Sequence, residues 1–289
     1  METRKDFKIK SPEPKKMKNE EPLCKMPKIV VIGVTGSGKS TLCNILSGYD
    51  PNGEDENGFP ASDSLNSCTY KTIGKEVNWL GNEELPFTIF DTPGLGDPSG
   101  NDSSNIMEMV QTLKKIRFVN AFVIVFNGQN PRIDLALKGI LQIFKQIFGK
   151  DFLKNTIIQF SRWSFDKRAS RLRSKNGITE KKHAIKWNQN FQKELGLDHA
   201  LPVVYVDALY EKDDDDESLA FKTQSDKLWQ IINEMDEYEC KDFESVLAEH
   251  DQFRKQVEDA EENQKKAQEN EKIAKENERK AGMLFVIKI

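Results

Sequence analysis

A glycine-rich stretch of eight residues, 33–40, carries the side chains best suited to binding phosphate. It reads Gly-Val-Thr-Gly-Ser-Gly-Lys-Ser and matches the pattern G-x-x-x-x-G-K-[ST]. In such a loop the backbone N–H groups point at phosphate oxygens, the lysine reaches the β- and γ-phosphates, and the final hydroxyl ligates Mg²⁺. The sequence therefore predicts a nucleoside triphosphate site, with Ser40 as a metal ligand, formed by Gly33, Thr35, Gly36, Ser37, Gly38, Lys39, Ser40 and Thr41.

A second stretch, Asp-Thr-Pro-Gly at 91–94, has residues that complete a magnesium–phosphate site. It follows the apolar run 85–90 and lies about fifty residues after Lys39. A carboxylate at the end of a strand is placed to hold Mg²⁺ through water, which is the Walker-B role. The N–H of Gly94 can approach a γ-phosphate because glycine has no side chain in the way. We therefore predict that Asp91 belongs to the metal site and that Gly94 contacts the nucleotide.

The segments around these residues alternate between predicted strands and predicted helices. Short apolar runs predict strands, and apolar residues at helical spacing predict the helices between them. The strands are expected at 28–32, 85–90, 121–126, 156–160 and 202–208, and the helices from 41 onward and at 106–118, 134–148, 178–195 and 219–235. This alternation predicts an α/β fold, that of a P-loop NTPase with a doubly wound, mostly parallel sheet.

Ligands of such sheets bind at the carboxyl ends of the strands. Four candidate stretches fall there: the loop 33–40, Asp91, residues 161–166, and the pair Asp207-Ala208. A fifth feature is the segment 64–80, which carries threonines and passes from loop into an alternating, strand-like pattern. A mobile loop with threonines between the P-loop helix and the next strand is where a nucleotide-dependent switch would lie.

Composition divides the chain into three segments. Residues 1–27 mix Lys, Glu and Pro without periodicity and are expected to form a disordered tail. Residues 28–235 form the nucleotide-binding domain, in which the acidic run 213–217 is expected to be a solvated loop. Residues 236–289 are rich in charged residues and predict a C-terminal helical extension. Its heptad-like seam weakens after Val257, so the pattern favours an exposed charged helix over a coiled coil.

Charge and cysteine usage exclude several classes of protein. The formal net charge of −4 argues against a general nucleic-acid binder. The four cysteines are scattered with no C-x-x-C pair, which favours reduced thiols in a cytoplasmic protein over a disulfide framework or zinc site. The sequence has no N-terminal apolar segment of the kind found in signal peptides, so secretion is not expected. The apolar run 283–289 is too short to span a bilayer, and it is open whether it is a contact patch, a weak membrane contact or the start of a longer segment.

With these stretches in hand, the chain resembles the immune-associated nucleotide-binding GTPases, the GIMAP family, which are similar to septins and to chloroplast import receptors. The resemblance covers roughly residues 28–235. The P-loop and Asp-Thr-Pro-Gly are shared with many GTPases, whereas Ile-Phe-Gly at 147–149 followed by a strand and Phe-Ser-Arg is more specific. The matching residues are 33–41 with Asn44, Ser67-Cys68-Thr69 before the strand that ends at Trp79, 91–95, 147–149 and 157–162.

The resemblance implies a G domain that binds GTP with Mg²⁺ and pairs with a second copy through its nucleotide face. It identifies Thr69 as the switch I threonine, whose hydroxyl would meet Mg²⁺, with Thr72 as the alternative. It also implies a C-terminal helical extension. The function implied is a GTP-binding regulatory protein with slow Mg²⁺-dependent hydrolysis and nucleotide-dependent self-association or partner binding. A non-hydrolysing GTP-binding scaffold and an ATP-using P-loop protein are the alternatives.

Two departures from the family pattern concern the base and the hydrolytic water. G proteins read guanine with [NT]-[KR]-x-D, whose carboxylate accepts both guanine N–H donors. Here the sequence 161–164 is Ser-Arg-Trp-Ser, and Asp166 lies two residues farther on. Asp166 is therefore the first candidate for reading the base, and Asp207 or the backbone near Ala208 is the next.

Arg162 or Trp163 would stack on the base, unless Trp163 is a packed core aromatic.

The second departure is Leu95, which occupies the place where small GTPases often have a water-positioning Gln, so slow intrinsic hydrolysis is expected.

Overall fold

A computed structural model describes residues 26–61, 69, 71–95, 102–129, 145 and 149–240 of the chain. Three predictions fall outside these ranges: the disordered tail up to residue 25, nearly all of the helix at 134–148, and the extension beyond residue 240. The apolar run 283–289, whose role the sequence leaves open, lies in that extension. No helix within the described ranges has both the length and the apolar character needed to cross a bilayer.

The central sheet has six strands, and five of them run parallel. In chain order the strands are β1 (Lys28–Gly33), β2 (Ile73–Asn78), β3 (Pro86–Asp91), β4 (Phe118–Val119), β5 (Ala121–Asn127), β6 (Thr156–Ser161), β7 (Val203–Val204) and β8 (Tyr238–Glu239). The order across the sheet is β2-β3-β1-β5-β6-β7, with β2 antiparallel to β3. The prediction of an α/β, doubly wound, mostly parallel sheet is therefore confirmed.

Helices cover both faces of this sheet. They are α1 (Lys39–Leu46), α2 (Asp102–Ile116), α3 (Lys167–Lys175), α4 (Glu180–Leu195) and α5 (Asp215–Glu234), with short 3-10 turns at Trp79–Gly81 and Lys150–Asn155. Successive side chains of a strand point to opposite faces. In β1, Val30 and Ile32 therefore pack with α2 and α4, while Ile29 and Val31 pack with α1 and α5.

The acidic run predicted to be a solvated loop is instead the start of α5. The Asp214 side chain accepts hydrogen bonds from the N–H groups of Asp216 and Glu217, and Asp215 to Glu217 form the first helical turn. Carboxylates stabilise a helix N-terminus because they satisfy its free N–H groups and face its positive dipole end. The run of like charges that suggested a loop is thus better explained as a capping sequence.

The short helix α3 was not predicted from the sequence. None of its nine residues is buried, so it lacks the apolar period that normally indicates a helix. Asp166 caps it by accepting a hydrogen bond from the N–H of Ala169 at 2.8 Å. Arg173 and Lys175 lie in its last turn, where cations complement the helix dipole. The cap at its N-terminus and the cations in its last turn therefore stabilise α3 in place of a buried apolar face.

The last strand of the sheet is shorter than predicted. Residues 202–208 were expected to be a strand, but ladder pairing is limited to β7 at Val203–Val204. β7 is an edge strand, and side chains of α5 occupy its outer backbone groups. Gln224 accepts from the N–H of Tyr205 at 3.0 Å, and Lys227 Nζ donates to the carbonyl of Val203 at 2.8 Å.

The folded domain continues past residue 235, where the helical extension was expected to start. β8 pairs antiparallel with β4, and the N–H of Cys240 donates to the carbonyl of Arg117 at 2.6 Å. The Tyr238 ring packs edge-on against Phe122 at 5.5 Å. Because these contacts bury Cys240, the domain extends at least to that residue.

A polar network under α4 holds a histidine in its neutral form. Tyr205 Oη donates to the carbonyl of Glu180 at 2.9 Å, so His183 Nδ1 serves as the donor to Tyr205 Oη, also at 2.9 Å. Trp187 Nε1 donates to His183 Nε2 at 2.9 Å. A protonated ring would have no acceptor left for Trp187. Partial burial also disfavours the charged ring, chiefly by desolvation, and lowers the pKa of His183 from 6.5 to about 4.

This pKa predicts a loss of stability in mild acid. Because the folded pKa lies below the unfolded value of 6.5, His183 contributes stability above that value and loses it as pH falls toward 4. Urea unfolding of the wild type should show a loss of roughly 1 kcal/mol from this group between pH 7 and pH 5, after allowance for solvent screening of the half-exposed ring. His183→Gln should reduce the pH dependence, and His199→Gln is the matched control. Equal pH dependence in all three proteins would contradict the assignment.

Candidate functional site

The P-loop joins β1 to α1 at the carboxyl edge of the sheet. Gly38 precedes α1 with a φ of 92°, a left-handed conformation that favours glycine, and a Cβ there would lie 3.4 Å from that of Ser161. Lys39 is buried, and its ammonium donates to the carbonyl of Val34 at 3.1 Å. Burial lowers the pKa of Lys39, and the carboxylate of Asp91 opposes that shift.

Three predicted metal-site residues meet at the end of β3. Ser40 Oγ donates to Asp91 Oδ2 at 2.7 Å, and Thr69 Oγ1 donates to the same oxygen at 3.2 Å. The two hydroxyl oxygens are 3.3 Å apart. Ser40 comes from the first turn of α1 and Thr69 from the segment before β2, so three separate parts of the chain converge on one carboxylate.

This oxygen cluster has the chemistry of a Mg²⁺ site. Mg²⁺ prefers oxygen ligands from one or two carboxylates together with waters and phosphate oxygens. Nearby, the hydroxyls of Thr35 and Ser37 are buried in the P-loop and have no hydrogen-bond partner among the described residues. Since buried polar groups are normally paired, they indicate that this loop is built to face a polar ligand. The residues of this cluster therefore fit a magnesium–phosphate group.

The electrostatics of Asp91 favour a cation beside it. Burial raises the pKa of its carboxyl group, while the charge of Lys39 and the hydroxyl donors of Ser40 and Thr69 act in the opposite direction. A buried carboxylate is costly unless it is paired. A divalent cation at the cluster would add a strong opposing charge and stabilise the ionised form.

Thr69 and Thr72, the two candidates for the switch threonine, have different partners. The hydroxyl of Thr69 donates to Asp91. Thr72 contacts α2 instead, where its N–H and its hydroxyl both donate to Glu108 Oε2, at 2.9 and 2.6 Å. The structure therefore places Thr69, and not Thr72, at the oxygen cluster around Asp91.

The segment after Asp91 packs directly on the P-loop. Leu95 bridges to it through two backbone hydrogen bonds, from the N–H of Thr35 to Leu95 O at 2.9 Å and from Leu95 N–H to Gly33 O at 3.2 Å. A Cβ on Gly94 would lie 2.7 Å from the Cα of Thr35, so only glycine fits this approach. Asn105 of α2 donates to the carbonyl of Gly94 at 2.9 Å and fixes the segment from the other side.

The loop after β6 was expected to contact the base, with Arg162 or Trp163 stacking on it. Trp163 is 5% exposed and packs against His183 and Tyr205, with ring centroids 4.6 and 4.7 Å away. The guanidinium of Arg173 covers the ring at 4.7 Å. Trp163 is therefore a packed core aromatic and not a base-stacking residue. Arg162 is exposed, with a left-handed φ of 54°, and keeps its place as a candidate.

Asp166 is partly committed to local structure. Besides capping α3, its carboxylate accepts from Ser164 Oγ at 2.5 Å, and this hydrogen bond is the main reason that the pKa of Asp166 is lowered. Asp207 lies past the end of β7 and accepts from the N–H of Leu209 at 3.3 Å. Burial raises the pKa of Asp207, and the charge of Arg173 acts on both carboxylates. Ala208 is half-buried beside the core.

Three residues that shape the site were not predicted to bind the nucleotide or the metal, although Ser161 lies in the candidate stretch 161–166 and Asn44 is among the residues that carry the family resemblance. Ser161 Oγ donates to the carbonyl of Ser37 at 2.6 Å and links the base loop to the P-loop. Asn44 forms a two-way pair with Phe59, donating to its carbonyl at 2.9 Å and accepting from its N–H at 2.6 Å. Arg173 belongs to the unpredicted α3. A polar residue at a strand or helix end was the signal available for Ser161; Arg173 had none.

Comparisons with known proteins agree with this architecture. The family model described as "50S ribosome-binding GTPase" matches residues 28–162, a little under half of the chain. No curated protein matches the sequence.

Among solved structures, Toc33 from Arabidopsis thaliana in complex with GDP and Mg²⁺ is similar, with a TM-score of 0.58 and 16% identity over 75% of this chain and 88% of that one. A structure concerning the chloroplast translocon components atToc33 and psToc159 has a TM-score of 0.50 and 19% identity, covering 72% of this chain and 82% of that one. At such identities the likeness concerns the fold. Together with the sheet order and the P-loop geometry, these findings give the described part of the chain the fold of a P-loop NTPase, in which residues 28–162 match a GTPase family model.

Proposed function

We propose that the chain binds GTP with Mg²⁺ and acts as a slow GTPase whose nucleotide state controls self-association or partner binding. The observation that carries this proposal is the convergence of Ser40 and Thr69 on the Asp91 carboxylate. A switch-loop threonine and a P-loop hydroxyl on one strand-end carboxylate form an arrangement that senses whether a γ-phosphate and its metal are present. The GTPase family match over residues 28–162 supports the same interpretation.

The P-loop and the residues around it would then have distinct roles. Ser40, Thr69 and Asp91 would hold Mg²⁺, which would supply positive charge to offset that of the β- and γ-phosphates. The ammonium of Lys39 is buried beside the loop and is available to the phosphates. The α1 N-terminus contributes N–H groups and a partial positive charge. We assign the other phosphate contacts to the backbone of Gly33, Thr35, Gly36, Ser37, Gly38 and Thr41.

Hydrolysis is proposed to be slow because of Leu95. Its side chain is 1% exposed, and its backbone is bonded to the P-loop on both sides. An aliphatic side chain packed in the core cannot orient an attacking water as a Gln does. The same observation favours the second candidate, a scaffold that binds GTP without hydrolysing it.

Pairing of two copies through the nucleotide face is the mode of self-association that we propose. In the similar chloroplast translocon components atToc33 and psToc159, dimerisation is important for the GTPase activity. We extend this to the present chain as a hypothesis, together with a cytoplasmic location and a place in the GIMAP branch. The two cysteines that the structure describes, Cys43 and Cys240, are free thiols, which fits a reducing compartment.

Replacing Ser40 tests the metal site. Ser40→Asn removes the hydroxyl, and its amide cannot take the same ligand position, so affinity for GTP in the presence of Mg²⁺ should fall at least about tenfold. Ser40→Thr keeps the hydroxyl and is the matched control. Titration of a fluorescent GTP analogue, with and without a chelator, measures the effect. If Ser40→Asn retained its Mg²⁺-dependent affinity, the metal assignment would fail.

Single-turnover hydrolysis separates the enzyme from the scaffold. For a slow GTPase we expect a rate on the order of 10⁻³ s⁻¹ or below, comparable to intrinsic small-GTPase rates. Lys39→Ala, which loses the phosphate-binding ammonium, is the inactive control. Bound GTP that survives many hours would favour the scaffold, and turnover of several per second would exclude both descriptions.

Base recognition is tested with two substitutions that separate capping from reading the base. Asn caps helices about as well as Asp, so Asp166→Asn should keep α3 while replacing a carboxylate oxygen with a donor. If Asp166 reads guanine, this variant should lose about tenfold or more of its preference for GTP over ATP in competition binding. Asp207→Asn is the parallel variant. If only Asp207→Asn lost the preference for GTP over ATP, guanine recognition would be assigned to Asp207. A wild type that preferred ATP would overturn the choice of nucleotide.

A further inference from the structure

The segment that forms α3 and the start of α4 is strongly basic in an otherwise acidic chain. Residues 167–186 contain eight Lys and Arg residues and one Glu, whereas the whole chain has a net charge of −4. On α3 the exposed residues Arg168, Arg171, Leu172 and Lys175 follow helical spacing and form one outward stripe. The nucleotide site described above uses none of these four side chains.

Most of these cations have no carboxylate partner in the part of the chain that the structure describes. Within the described ranges no Asp or Glu oxygen lies within 4 Å of the side-chain nitrogens of Arg168, Arg171, Lys175, Lys181 or Lys186. Lys167 alone in this segment has an ion pair, at 4.0 Å from Asp216. Like charges at helical spacing destabilise a helix, so a surface of this kind is retained at some cost in stability. That cost is offset when an anionic partner binds.

Large aliphatic side chains are exposed among the cations. Leu172 is 60% exposed, Ile178 40% and Ile185 49%. The turn that joins the two helices is hydrogen-bonded to both of them. The N–H of Ile178 donates to the carbonyl of Arg173 at 2.9 Å, and Lys182 Nζ donates to the carbonyl of Gly177 at 3.1 Å. The cations and the aliphatic groups are thus exposed on two consecutive helices, and we call the exposed residues of 167–186 the basic face.

We propose that the basic face docks on an anionic phospholipid membrane surface. Basic residues near such a surface are attracted by its negative potential, and adjacent aliphatic groups enter the headgroup boundary. A single-stranded nucleic acid would instead use exposed aromatic rings for stacking, and the large exposed side chains here are aliphatic. No residue of α3 is buried, so its outward stripe is open to a flat surface.

Vesicle sedimentation of the full chain tests this proposal. The combined variant Arg168→Gln, Arg171→Gln, Lys175→Gln removes three charges from the stripe, and no altered side chain is buried. Partitioning onto vesicles of phosphatidylcholine with phosphatidylserine should weaken at least about tenfold. A matched control with the same change of charge is Lys115→Gln, Lys193→Gln, Lys212→Gln, at exposed lysines elsewhere. The control should bind like the wild type, and all binding should weaken in about 0.5 M salt.

A second variant tests the apolar contribution. Leu172→Gln leaves every charge in place and should weaken partitioning about threefold, less than the triple change does, with no effect on the unfolding midpoint because Leu172 is exposed. Equal binding by the triple variant and its control would overturn the proposal, since other parts of the chain would then carry the attraction. Equal binding to pure phosphatidylcholine vesicles would also overturn it. The proposal would also be overturned if the triple variant lost binding to RNA or to an acidic polypeptide but bound the vesicles as the wild type does.

Discussion

The arrangement of the site depends on one buried carboxylate. Asp91 ends β3 inside the sheet, and burying it without partners would be costly. Hydroxyls from α1 and from the segment before β2 both donate to the same oxygen, and the charge of Lys39 acts on it as well. Three parts of the chain that are far apart in sequence are thereby held within hydrogen-bonding distance. Since each partner is placed by Asp91, the geometry of the P-loop and that of the switch segment are coupled.

The sheet and the phosphate end of the site follow from local patterns in the sequence. Fully apolar runs such as 121–126 predict central strands, because a parallel strand is buried on both faces, and β5 lies between β1 and β6 as expected. The glycine loop predicts its own conformation, since its spacing leaves few alternatives. Asp91 could be found because it follows an apolar strand at a typical distance from that loop. Thr69 was instead implied by the family resemblance, with Thr72 as the alternative, and its hydroxyl donates to Asp91.

The base end could not be predicted in the same way because its contacts are non-local. The burial of Trp163 depends on rings from α4 and from the chain after β7, which no pattern near Trp163 reveals. Asp166 was recognisable as a polar residue near a strand end, but its capping role requires α3, a helix without an apolar face. The acidic run before α5 shows the same difficulty, because a charge cluster caps a helix only where the next residues of the chain form one.

The two α5 side chains on the edge of β7 also bear on how copies of the protein can associate. An unpaired strand edge is a template on which a second sheet can extend. Here the carbonyl of Val203 and the N–H of Tyr205 are already bonded to Lys227 and Gln224. A foreign strand would have to displace both hydrogen bonds and leave a half-buried ammonium, whose pKa is already lowered by burial, without an acceptor. The fold thus protects this edge against the addition of a foreign strand.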